Sequence, residues 1–223
     1  MKQKIQTINF GGINGYLIKT DAGYILIDTG YPAKRVYLDK ELEEAGCKPG
    51  NLKLVILTHG DIDHTGNAAH LRKKYGAKIA LNHDDWGMVE HEDMSYNRKS
   101  KPDKITIINR IISLISFFIK PGKFETFKPN IAIDEDYDLS PYGIDAWILH
   151  LPGHSKGSVG ILTTDGNLFC GDLLYNMGMG IPFTPYIDDL MDFNASIEKL
   201  KKLNIKTVYP GHGKPFTWDQ LTL

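Results

Sequence analysis

Residues 57–67 read Leu57-Thr58-His59-Gly60-Asp61-Ile62-Asp63-His64-Thr65-Gly66-Asn67, with two histidines and two aspartates inside six positions. They follow directly on the apolar run Leu52-Lys53-Leu54-Val55-Ile56-Leu57, whose β-rich character predicts a strand covered on both faces. In α/β proteins ligands bind at the carboxyl ends of such strands, because the loops there sit over a rigid sheet. From Asn67 the spacing of Ala68, Leu71 and Tyr75 predicts a helix stopped by Gly76. His59, Asp61, Asp63 and His64 then fan out from one short loop and helix start. Folding requires no such density, and imidazole with carboxylate suits a borderline or hard divalent cation.

Before this stretch, residues 4–10, 15–19 and 24–28 read as short strands joined by hairpin-type turns at Gly11-Gly12 and Asp21-Ala22-Gly23. Residues 36–45 carry helical spacing, and 78–81 form another strand. Residues 84–130 break the rhythm and read as an insertion. Within it, residues 105–120 are helical, with a polar stripe of Thr106, Asn109, Ser113, Ser116 and Lys120 on a wide Ile, Leu and Phe surface. That surface fits domain packing, a lid over an apolar substrate, a dimer contact or a membrane-surface helix. After it, strands fall at 131–133, 146–151, 158–164 and 168–170, then a helix at 192–203 and a strand at 207–209. Two halves of this kind suggest two sheets packed face to face with helices outside.

Bulk composition narrows the partners. A net charge of −1 over 223 residues leaves no basic field for phosphate backbones, so a small molecule is the expected partner and nucleic acid is not. No run is long enough to cross a bilayer, and the N-terminus lacks the apolar core of a signal peptide, so a cytoplasmic chain is expected. Cys47 and Cys170 stand far apart without a CxxC partner and read as small core residues.

Three further segments place a polar residue just beyond a strand in a glycine turn: Pro152-Gly153-His154, Gly171-Asp172 and Pro210-Gly211-His212-Gly213. Each is weak alone. In this order, behind the first stretch, they resemble the metallo-β-lactamase superfamily, whose pattern is HxHxDH, a distant His, a bridging Asp and a last His. The resemblance runs from Asp28-Thr29-Gly30 to Gly213, with residues 84–129 least covered. It implies a four-layer αββα sandwich of two mixed β-sheets flanked by helices, an α/β (α+β) fold built as one domain over 1–223. By the family's roles His59, Asp61 and His154 hold one metal, Asp63, His64 and His212 the second, and Asp172 bridges. Asp28 resembles the aspartate that orients a ligand imidazole from behind.

Asp61 departs from the pattern, which has histidine there. Two divalent ions carry four positive charges, and Asp61, Asp63, Asp172 and one hydroxide cancel all four, whereas the usual site keeps one. A harder first site opens the way to Mn or Fe beside Zn, or else Asp61 does not bind. Tyr175, three residues after Asp172, resembles the substrate-contacting tyrosine of the superfamily's N-acyl-homoserine lactonases and could donate to a developing oxyanion; plain packing is the alternative. His83 and His150 fit either the cleft or its periphery, His70 and His91 the surface, and Lys156 solvent or an anionic substrate.

These expectations converge on a metal-bridged hydroxide cleaving a small ester, lactone, thioester or amide, with Asp63 also passing a proton. A diiron redox protein of flavodiiron type is the runner-up, disfavoured because the chain ends soon after Gly213 without a flavin domain. A phosphodiesterase of the same fold and a homodimer are further expectations.

Overall fold

The computed structural model describes residues 4–106, 122–177 and 184–221. In chain order the first half comprises β1 (Ile5–Asn9), β2 (Asn14–Thr20), β3 (Gly23–Ile27), α1 (Arg35–Glu44), β4 (Leu52–Ile56), α2 (Ile62–Thr65), α3 (Ala68–Tyr75), β5 (Lys78–Leu81) and α4 (Trp86–His91). There follow β6 (Lys104–Ile105), β7 (Ile131–Ala132), β8 (Tyr137–Asp138), β9 (Ala146–His150), β10 (Val159–Thr163) and β11 (Asn167–Gly171). The last elements are β12 (Tyr186–Ile187), α5 (Leu190–Lys201), β13 (Thr207–Pro210) and β14 (Phe216–Thr217).

One six-stranded sheet has the order β1-β2-β3-β4-β5-β7, and a second the order β14-β13-β11-β10-β9-β8. Both are mixed: β1, β2 and β3 pair antiparallel while β3, β4 and β5 run parallel. In the second sheet only β11 with β13 is parallel. The strand alternation assigns side chains to three cores. Ile25 and Ile27 of β3, Leu54 and Ile56 of β4, Ile148 of β9, Ile161 of β10 and Phe169 of β11 fill the space between the sheets. The intervening Leu26 and Val55 face outward onto Leu38 and Leu42 of α1 and Leu71 of α3. Across the second sheet Leu149, Leu168 and Cys170 meet Phe193, Ile197 and Leu200 of α5. Side chains of period 2 on the strands and 3.6 on the helices thus produce four layers, the αββα sandwich expected. Truncating a fully buried member such as Leu54 costs about 2–5 kcal/mol.

One helix boundary differs from the sequence reading. α5 starts two residues earlier than 192, because Asp189 caps it, accepting from Met191 N at 2.9 Å and Asp192 N at 3.0 Å. The stretch 84–106 is woven into the fold: β6 pairs with β12, Asp103 N donates to Asp188 O at 3.3 Å, and Lys99 N donates to the buried Asp188 carboxylate at 3.1 Å. After it, Phe124 and Phe127 join the helix-side core. The helix expected at 105–120, with Phe117 and Phe118, lies almost wholly outside the described residues. Among the described residues no helix is long and apolar enough to cross a membrane.

The architecture brings five strand ends together. Asp28 follows β3, His59 to His64 follow β4, His154 follows β9, Asp172 follows β11 and His212 follows β13.

Candidate metal centre

Asp28 organises the loop after β4. Its backbone is left-handed, with φ of 58°, a conformation that costs a residue with a Cβ about 1–2 kcal/mol. Its carboxylate accepts from Thr58 N and from Thr58 Oγ1, both at 2.8 Å, and from His64 Nδ1 at 2.8 Å. With its own proton given to Asp28, the Thr58 hydroxyl accepts from His59 Nδ1 at 3.0 Å. Both imidazoles therefore carry their proton on Nδ1 and turn Nε2 toward the cluster, the tautomer a ligand histidine needs.

His59, His154 and Asp172 offer ligand atoms that all lie within 4.8 Å of one another, and so do Asp63, His64 and His212. Asp172 groups with the first set by that measure but also stands against the second. Its Oδ2 lies 4.0 Å from His59 Nε2, 3.9 Å from His154 Nε2 and 3.2 Å from His212 Nε2, and its Oδ1 lies 3.3 Å from His64 Nε2. Asp63 Oδ2 is 3.7 Å from His64 Nε2 and 3.5 Å from His212 Nε2. Gly211 makes room for this, since a Cβ there would collide with Asp172 Oδ1.

Buried polar atoms nearly always find partners, yet His59 Nε2, His64 Nε2 and Asp172 Oδ1 have no hydrogen bond, while the cluster-facing His154 Nε2 bonds Asp61 Oδ2 at 3.1 Å. His64 Nε2 and Asp172 Oδ1 lie 3.3 Å apart without bonding each other. Ligands at about 2.0–2.1 Å from a tetrahedral ion sit about 3.3–3.5 Å from one another, so these residues fit a divalent metal.

The electrostatics agree. Burial opposes charge on His64, but Asp172, Asp63 and Asp28 outweigh it and raise its pKa well above the usual imidazole value. His212 is pushed to about 9 in the same way, against burial, by Asp172 and Asp63. Burial keeps His154 neutral, lowering its pKa. Asp63 and Asp172 overcome burial through these histidines and stay ionised, Asp172 well below the usual carboxylate range. The metal-free cluster thus holds protons that a cation would displace.

Asp61 lies beside the first set, its Oδ2 3.3 Å from His59 Nε2 and 3.1 Å from His154 Nε2. The same oxygen accepts from Arg98 Nη2 at 2.9 Å, and this guanidinium holds Asp61 ionised well below the usual range despite burial. Arg98 stacks near the Tyr186 ring, 5.5 Å from its centroid. Sequence reasoning missed Arg98, and it missed Asp85 as well. Fully buried, Asp85 accepts from Gly60 N at 2.9 Å, Ser155 Oγ at 2.7 Å and Gly157 N at 2.9 Å, tying the Asp61 loop to the His154 loop. No short-range spacing marks either residue; both act across long stretches of chain.

Tyr175 is buried, its hydroxyl donates to Asp172 Oδ2, and its ring stacks on His212 at 4.7 Å. Burial, then Asp172, raise its pKa well above the phenol value, so it remains a donor. Outside the cluster, His150 Nε2 bonds Lys156 O at 2.8 Å, His70 pairs with Asp39 at 3.0 Å and His83 packs edge-on to Trp86. His91 closes α4 and is exposed, and Lys156 Nζ donates to Asn97 Oδ1 at 3.2 Å.

Two sheets, outer helices and a His/Asp cluster at the strand ends define the class: an αββα protein with a candidate divalent-cation site. The family model of the metallo-β-lactamase superfamily matches residues 8–212, and the chain belongs to that superfamily. It is similar to the hydroxyacylglutathione hydrolase GloC of Haemophilus influenzae, 29% identical over 197 residues, or 87% of this chain and 82% of that one. It is 25% identical to a β-lactamase-like protein 2 homolog of Caenorhabditis elegans over 91% of its own length, spanning 56% of that relative. Among solved structures, an archaeal superfamily protein from Sulfolobus tokodaii superposes with a TM-score of 0.71 at 20% identity, over 99% of this chain and 84% of that one. A 25% identical protein, TTHA1623, solved in a di-iron-bound form, superposes with a TM-score of 0.66 over 97% of this chain and 96% of its own. Membership of this superfamily implies divalent-metal binding.

Proposed function

We propose that this chain is a dinuclear metal-dependent hydrolase of small acyl substrates, a thioester or an ester including a lactone, with His59, His154 and Asp172 around one ion and Asp63, His64 and His212 around the other. The observation that carries this is the set of buried imidazole and carboxylate atoms at ligand spacing without hydrogen bonds. The GloC relative supports a thioester substrate by its description as a hydroxyacylglutathione hydrolase. Bound divalent ions supply Lewis acidity to the scissile carbonyl and a water nucleophile at neutral pH.

The chain's own groups do the rest. Asp28 and Thr58 hold two imidazoles in the ligating tautomer. Asp63, partly exposed with its carboxylate ionised, would accept a proton from the attacking water on the carboxylate oxygen left free by the ion and return it to the leaving thiol or alcohol. Tyr175 orients Asp172 through its hydroxyl and stacks behind His212. Iron in place of zinc has one supporting observation, the di-iron form of TTHA1623.

Metal analysis of protein purified without added metal, followed by a panel of thioester, lactone, phosphodiester and β-lactam substrates, tests this reading. Two equivalents of divalent metal and chelator-sensitive acyl hydrolysis are expected. Metal-free protein with full acyl-hydrolase turnover overturns it.

A further inference from the structure

We infer that Arg98 is the counter-charge that lets an aspartate stand at position 61: Asp61 and Arg98 together act as one neutral unit beside the first set of ligands, in the place where the superfamily's pattern has a neutral histidine. The inference rests on the reading that the cluster holds divalent ions.

The charge count sets the problem. Two divalent ions with Asp61, Asp63, Asp172 and one hydroxide sum to zero, while the pattern with histidine at 61 sums to one positive charge. Arg98 supplies the missing charge at contact distance, 2.9 Å from Asp61 Oδ2, with only 13% of its side chain exposed and 18% of its partner's. Shielded from water to this degree, the pair couples far more strongly than a surface pair would. The oxygen that Arg98 holds is the one lying 3.3 Å and 3.1 Å from the His59 and His154 nitrogens, so the guanidinium acts on the ligand set through a shared atom.

The fold holds Arg98 there by several independent ties. Lys99 N donates to both oxygens of the buried Asp188, at 3.1 Å and 3.3 Å, and β6 pairs with β12 a few residues later. Tyr186 of β12 offers its ring face to the guanidinium, and its hydroxyl returns to Asp188 at 3.3 Å. Lys99 itself is matched by Asp103 and Asp189, each at 2.8 Å, so its own charge is already compensated. Arg98 is therefore the cation that this segment delivers to the ligand cluster.

The two members of the pair pull metal affinity in opposite directions, which separates a charge role from a merely structural one. Arg98→Gln keeps a donor for Asp61 and removes only the positive charge; zinc should bind at least about tenfold more tightly. Asp61→His leaves Arg98 buried without its contact partner next to the ions, with only the more distant Asp85 to offset it; zinc should bind at least about tenfold more weakly, although imidazole is itself a good zinc ligand. The double variant D61H/R98Q restores the charge of the usual pattern and should return to within about threefold of the parent.

Zinc dissociation constants from competition with a chromophoric chelator, with metal counted per chain, measure all four proteins. If both single variants weaken zinc, or if D61H binds zinc as well as D61H/R98Q does, the inference is overturned while the metal centre stands. Arg98→Lys keeps the charge and should stay within about threefold, and a tenfold change in it overturns the charge argument even where Arg98→Gln fails to fold. A parent chain that takes up no zinc overturns the metal-centre reading and this inference with it.

Discussion

Asp85 is the residue whose loss should be felt furthest from its own position. Asp85→Ala strips the acceptor from three buried donors at once: Gly60 N–H, Gly157 N–H and the Ser155 hydroxyl. A buried donor left without a partner costs about 1–3 kcal/mol. Three would reach as much as about 9 kcal/mol if additive, but they share one cavity that water can enter, and Ser155 Oγ retains Ser158 Oγ at 2.8 Å. The expected loss is about 3–5 kcal/mol, a large part of the stability of a typical domain. Asp85→Asn keeps one acceptor oxygen but points an amide donor at a donor, and should cost about 1–3 kcal/mol. Urea unfolding measures both, through a lower midpoint at an unchanged slope. Because Gly60 adjoins His59 and Asp61 while Ser155 adjoins His154, either variant should also weaken metal binding. Stability within about 0.5 kcal/mol of the parent in both variants would refute the idea that this carboxylate holds the two loops together.

His64→Ala or Asp172→Ala removes a direct ligand and should abolish metal uptake and activity together; a full metal complement in both would show the ligand assignment to be wrong. The chelated protein should lose stability as pH rises from about 6.5 through about 9, because His212 has its pKa raised to about 9 in the folded chain, so its stabilisation is complete below the ordinary imidazole value and lost above the raised one. His64 shifts in the same direction, and a melting temperature that stays flat between pH 6 and 9.5 contradicts the linkage. Tyr175→Phe deletes the donor to Asp172 and should lower turnover about ten- to a thousand-fold with the metal count retained, read from steady-state kinetics beside metal analysis; unchanged turnover leaves Tyr175 a packing residue.

How much of this was readable depended on whether the cause was local. The strands could be placed because short apolar, β-rich runs lie between glycine turns, and the structure covers both of their faces: Leu26 goes to one core while Ile25 and Ile27 go to another. The candidate ligands could be singled out because each follows a strand within a few positions, so sequence order and spatial convergence coincide. The start of α5 was missed by two residues because Asp189, a capping side chain, outweighed the apolar spacing that begins later. Arg98 and Asp85 were invisible for a different reason. Each acts 37 and up to 72 positions away in the chain, through one side chain whose partner is known only once the loops are folded. A carboxylate in place of a histidine was nevertheless a legible anomaly, because it removed the one positive charge that the usual pattern keeps. Polarity alone could have turned that missing charge into a search for a cation among the residues between α4 and β6, where Arg98 stands with Lys99 and Lys101. Geometry separates them, since Lys99 is matched by carboxylates of its own while the Arg98 guanidinium reaches Asp61. A departure from a family pattern at a charged position is therefore best read as a pair of residues, of which the sequence displays one and the fold supplies the other.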